Sequence, residues 1–186
     1  MTHRIARSIV LSLFMLALLL PQRQARAEGI GSLDVPLQDF HVGEPIQLSG
    51  LYSSQTLNIS IPDSWSIVDT NYIEVLVRAS DLLDRDRASL TVTLNGRRVD
   101  SFPVREFTAG VKRILIPANM FTQGNNDLTF TAMLYVIADQ TTQCQNWDDP
   151  SRWMSIEADS SMHISYIPRD LPLDLAYFPQ AFLRPL

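Results

Sequence analysis

The sequence predicts an all-β fold, an antiparallel sandwich or jelly roll. Three observations carry this. From residue 46 onward, short runs alternate apolar and polar residues, the period of a half-buried strand. Turn-forming clusters separate those runs, and one is Asn95-Gly96, the strongest short hairpin signal because both central residues need positive φ. Residues 28–186 show no strong amphipathic helix and no internal repeat.

The elements follow in order. Residues 1–27 read as a secretory signal: His3, Arg4 and Arg7 form a basic start, Ile9 to Leu20 is an apolar run, and Ala25-Arg26-Ala27 supplies small-x-small cleavage chemistry. That run is short of the ~20 residues a membrane-spanning helix needs. Residues 28–45 read as an exposed lead-in, and 46–168 as the domain. Leu57, Ile59 and Ile61 mark one strand; Ile73, Val75 and Val77 a second; Leu90, Val92 and Leu94 a third. Arg97 to Phe102 is the return strand of the Asn95-Gly96 hairpin. Arg113 to Ile116 is a short strand stopped by Pro117, with a helical turn over Pro117–Phe121. Leu128, Phe130, Ala132, Leu134 and Val136 alternate over the longest strand, and Met162, Ile164 and Tyr166 over the last. These make about seven or eight strands.

Charge and residue inventory exclude several functions. Removing residues 1–27, which hold four arginines and no acid, takes the net charge from −5 to −9. That argues against nucleic acid as a partner. Cys144 is the sole cysteine, so no intrachain disulfide forms. After residue 27 only His41 and His163 remain, and no Gly-x-Ser-x-Gly elbow, zinc spacing or calcium loop occurs. No metal or cofactor is expected. A glycosidase needs only two carboxylates, and a sandwich-fold hydrolase therefore stays open as an alternative, as does a structural module without a ligand.

The stretch Thr141 to Trp153, TTQCQNWDDPSRW, concentrates the unusual chemistry. Asp149 with Pro150 reads as an N-cap followed by the first position of a helical turn. With Cys144 they read as a structural corner. Aromatic rings stack on the apolar faces of sugars, and polar groups beside them bond hydroxyls. Trp65 and Trp147 are the candidate rings, with Asn146, Asp148 and Arg152 as polar neighbours. Trp153, leading straight into Met154-Ser155-Ile156, is expected in the core.

The pattern Cys144-x-x-Trp147-x-x-Pro150-x-x-Trp153-x-x-Ile156, followed by Ser160-Ser161-x-x-x-x-Tyr166, resembles the first periplasmic domain of the regulatory-subunit family of bacterial cellulose synthases. The hairpin Leu90 to Val99, the Gly124-Asn125-Asn126-x-Leu128-x-Phe130 segment and the Pro172 to Phe182 stretch are similar to that family in the same order. The resemblance covers roughly residues 45–186.

It implies a carbohydrate-binding-like jelly roll in a non-catalytic periplasmic component of the synthase. The implied partners are the membrane-embedded catalytic subunit and the exported β-1,4-glucan. Family members are held to the inner membrane by a C-terminal helix. Residues 169–186 are therefore expected to be a linker toward a further α/β domain, and the sequence to be a fragment. The family is often labelled cyclic di-GMP binding. The chain has neither the Arg-x-x-x-Arg nor the Asp/Asn-x-Ser-x-x-Gly motif of the usual receptor, so no nucleotide is expected here.

Overall fold

The structure, a computed structural model, describes residues 29–40, 45–107, 111–140 and 146–170. Two antiparallel sheets face each other. The strands are β1 (Gly31–Pro36), β2 (Ile46–Ser49), β3 (Tyr52–Ile61), β4 (Trp65–Ile67), β5 (Asn71–Ala79), β6 (Ser89–Leu94), β7 (Arg97–Pro103), β8 (Val111–Ile116), β9 (Gly124–Met133), β10 (Trp153–Ile156) and β11 (Ser161–Pro168). One sheet runs β3-β9-β6-β7. The other has seven strands in the order β1-β11-β5-β10-β2, with β8 also on β5 and β4 also on β11. Among the described residues there is no α-helix, only four short 3-10 turns: Leu37–Phe40, Val104–Phe107, Ala118–Met120 and Ile137–Gln140.

The period-2 alternation directs the core. Leu57, Ile59 and Ile61 of β3 point inward, as do Leu90, Val92 and Leu94 of β6 and Leu128, Phe130 and Ala132 of β9. They meet Ile73, Val75 and Val77 of β5, Ile114 and Ile116 of β8, and Met162 and Ile164 of β11 in one hydrophobic cluster. The hairpin forms as predicted, with Asn95 at φ 53° and Gly96 at φ 73°. The turn expected over Pro117–Phe121 is the 3-10 turn Ala118–Met120.

Three expectations change, the first being the strand count: eleven among the described residues rather than seven or eight. Residues 31–36, which the sequence places in an exposed lead-in, form strand β1 and pair with β11 at six positions. Gly31 is required there, because a Cβ would stand 2.8 Å from Cζ of Tyr166. The long strand stops at Met133 rather than Val136. Leu134 and Val136 are buried beyond it, where Leu134 N–H donates to Leu51 O.

Among the described residues, buried side-chain polar atoms are satisfied. Asn126 is fully buried. Its Oδ1 accepts from Thr122 N (2.7 Å) and Asn95 Nδ2 (2.8 Å), and its Nδ2 donates to Thr122 O and Gly124 O. Asn126→Ala strands those partners, so it is expected to cost roughly 2–4 kcal/mol, measurable as a lower urea midpoint with an unchanged slope.

Candidate functional site

The site is built on residues 146–153, a double turn that feeds β10. Asp148 N–H donates to Asn146 Oδ1 (3.2 Å) and Arg152 N–H to Asp149 O (3.0 Å). The second bond closes a four-residue turn with Pro150 at its second position, where the ring presets φ. Asp149 Oδ1 accepts from Ser151 Oγ (2.6 Å) and Ser151 N (2.9 Å), an Asx turn. Those bonds, led by the Ser151 hydroxyl, hold the Asp149 carboxyl below its ordinary range. The capping chemistry expected of Asp149 is present, but it caps a turn and not a helix. The chain must already be extended at Trp153 to pair with Ser49 of β2, which leaves no length for helix.

Arg152 anchors this turn. The sequence places it beside a sugar, and the structure corrects that: its side chain has no solvent exposure. Nη1 and Nη2 each lie 2.8 Å from one carboxylate oxygen of Asp139, Nη1 also donates to Leu134 O (2.7 Å), and Nε donates to Asn146 O (2.9 Å). Asp139 is 3% exposed and its Oδ2 further accepts from Val136 N (2.9 Å). Burial of two charges is tolerated because two parallel bonds join them and the Leu134 and Asn146 carbonyls take two further guanidinium protons. The Arg152 guanidinium holds the Asp139 carboxyl below the usual carboxylate range, and Asp139 raises Arg152 in return. Asp139, which sequence reasoning misses, thus ties the 3-10 turn after β9 to the base of the tryptophan turn.

What the turn presents to solvent is aromatic. Trp147 is 64% exposed and Trp153 39% exposed. The core position expected of Trp153 is therefore corrected. Its register with solvent-facing Ser49 turns it outward, and the next residue, Met154, takes the buried position. Gly50 links the two: its N–H donates to Arg152 O, and the Trp147 carbonyl lies 3.8 Å from where its Cβ would be. Asn146, Asp148 and Pro150 are also exposed. Trp65, expected as a sugar platform, is 9% exposed. Its ring stacks on Tyr166 at 3.8 Å and 5°, so a core partner already covers it. Cys144 lies outside the described residues.

A second constellation has no signature in the sequence. His163 Nδ1 is 2.7 Å from Asp34 Oδ1, and its Nε2 is 3.1 Å from Ser165 Oγ. This has the connectivity of a nucleophile–base–acid relay. Ser165 is 3% exposed, however, and its N–H is bound to Asn71 Oδ1, so a carbonyl has no approach to its hydroxyl. His163 stacks on Tyr72 at 4.6 Å. The arrangement clips edge strand β1 to β11. Among the described residues there is no group of metal-binding side chains, and no helix is long and apolar enough to cross a membrane.

A two-sheet antiparallel sandwich defines the fold class, and the turn into β10 sets two exposed tryptophans on its surface. The family model for "Cellulose synthase BcsB, first CBM domain" matches residues 31–168, and the chain belongs to that family. The match begins where β1 begins and ends where β11 ends. Among solved structures, the CBM36-1 domain of a multidomain xylanase from the hindgut metagenome of Trinervitermes trinervoides is similar at 8% identity and a TM-score of 0.31, over 72% of this chain and 96% of that one. No curated protein matches the chain.

Proposed function

We propose that this domain serves a periplasmic, non-catalytic component of a cellulose synthase. It contacts the exported β-1,4-glucan, and its protein partner is the catalytic subunit of the synthase. One observation carries the glucan reading: two indoles stand exposed on a turn whose base is locked by a buried ion pair. Large apolar rings held in solvent oppose the hydrophobic effect. A rigid base reduces the ordering cost of binding. Trp147 and Trp153 supply stacking surface, while Asn146 and Asp148 bond sugar hydroxyls. Arg152 acts on this site by holding it, and Trp65 by packing the interior.

Titration with cello-oligosaccharides checks this reading by tryptophan fluorescence, with reducing sugar assayed in the same samples. The expected outcome is saturable quenching without new reducing ends. Release of reducing sugar would assign the domain to the hydrolases. Flat fluorescence at millimolar ligand would leave it a structural module.

A further inference from the structure

The outer face of the β3-β9-β6-β7 sheet is laid out differently from the rest of the surface. Strand register places Ser54, Thr131, Thr91 and Ser101 in one row across all four strands. The next row holds Thr56, Thr129 and Thr93, ending on Arg98 at the edge. Neighbouring strands lie ~4.8 Å apart and successive outward residues ~7 Å apart, so the hydroxyls form a shallow grid. They are paired within it: Ser54 Oγ to Thr131 Oγ1 at 3.1 Å, Thr56 Oγ1 to Thr129 Oγ1 at 2.9 Å, and Thr91 Oγ1 to Ser101 Oγ at 2.8 Å. Each pair uses one O–H, which leaves its second O–H and several lone pairs for an outside partner. Both ends of each pair are held, so rotamer freedom is already restricted before any ligand arrives.

Charge separates this face from an ordinary solvated one. The chain carries 35 charged residues, and solvent-facing strand positions are where such residues normally sit. The outer face of the opposite sheet follows that rule, with Glu74–Arg113, Arg78–Glu157 and Asp34–His163 pairs. The two hydroxyl rows hold only Arg98, at one end. At the border, in the adjoining row, Tyr52 is 63% exposed and pairs with the exposed Met133. A neutral grid of fixed hydroxyls with an aromatic ring at its border complements a flat, uncharged, polyhydroxylated surface. Apart from Arg98 at one end and Asp127 just beyond Thr129, the face offers an ionic partner nothing to pair with.

We propose that this face is a second carbohydrate surface, independent of the tryptophan turn, and that it adsorbs the flat side of laterally associated β-glucan chains. The tryptophan turn takes a single glucan strand. The grid, being wide and shallow, takes an assembled surface.

The test is an adsorption isotherm on insoluble cellulose beside a titration with a soluble cello-oligosaccharide. Thr129→Lys puts a charged four-carbon arm in the middle of the grid. It is expected to lower the partition coefficient on cellulose about tenfold and to leave the soluble titration unchanged. Thr56→Lys, on edge strand β3 where lysine is well tolerated, gives the same reading if the central variant fails to fold. Trp147→Ala is expected to do the reverse, losing the soluble ligand while retaining a measurable share of adsorption. Adsorption unaltered in both lysine variants would overturn the proposal and leave the rows as a solvated face, whatever the tryptophan site does.

Discussion

Arg152→Met is expected to destabilise the domain by about 3–5 kcal/mol, seen as a fall in melting temperature of roughly 10 °C or more. The substitution keeps volume and removes charge. It leaves the Asp139 carboxylate buried at 3% exposure with only Val136 N–H to bond it, it takes the buried guanidinium bond from the Leu134 carbonyl, and it leaves Asn146 O with the Asp149 N–H alone. Lysine is expected to fail as well, because one ammonium cannot reproduce the two parallel bonds to Asp139 and the Nε bond to Asn146 O. Adding Asp139→Leu to Arg152→Met should restore part of the loss, since the unpaired charge is the larger share of the cost.

The same pair sets an acid response. The Asp139 carboxyl is depressed in the folded state, so below the unfolded carboxylate value the unfolded chain binds the proton first. The stability this group contributes is full above that unfolded value, ~3.9, and is lost as pH falls through the folded one. Acid titration of the Arg152→Met/Asp139→Leu variant should lack that component, and an identical acid profile in both proteins would count against the buried pair.

Trp147→Ala is expected to weaken cello-oligosaccharide binding at least tenfold, about 1.4 kcal/mol, while the melting temperature moves by no more than about 2 °C. Exposed aromatic anchors lose binding and little stability when truncated. Trp65→Ala should invert the pattern. Removing a ring that is 9% exposed and stacked on Tyr166 is expected to cost about 3–5 kcal/mol of stability, with affinity preserved in whatever remains folded. A Trp65 variant that stays stable and loses glucan would return that residue to the surface.

The sandwich was legible because alternation is a local signal. Leu57-Ile59-Ile61 and Leu128-Phe130-Ala132 declare their buried faces residue by residue, and Asn95-Gly96 declares its turn through φ. Strand β1 was not legible: GSLDVP is an edge strand with no buried residue, and its pattern is too weak to separate from a loop. The site was half legible. Tryptophan content located the turn, but the facing of each indole depends on pairing. Trp153 faces out because of its register with Ser49, and a slip of one residue would turn it inward. Trp65 is buried by Tyr166, 101 positions later. Arg152 looked like a surface cation because its partner, Asp139, belongs to another turn, and no spacing rule links the two. The neutral hydroxyl rows were equally hidden, since each threonine is an ordinary strand residue until four strands align them.

If the exposed tryptophan turn meets glucan, its indoles report the contact directly. The chain has three tryptophans, so a 15N-labelled sample gives three indole N–H resonances, to be followed during titration with cellohexaose. The Trp147 and Trp153 indoles are expected to shift in a saturable way while the Trp65 indole stays still. Shifts confined to Trp65, or three indoles unmoved at saturating cellohexaose, would contradict that contact.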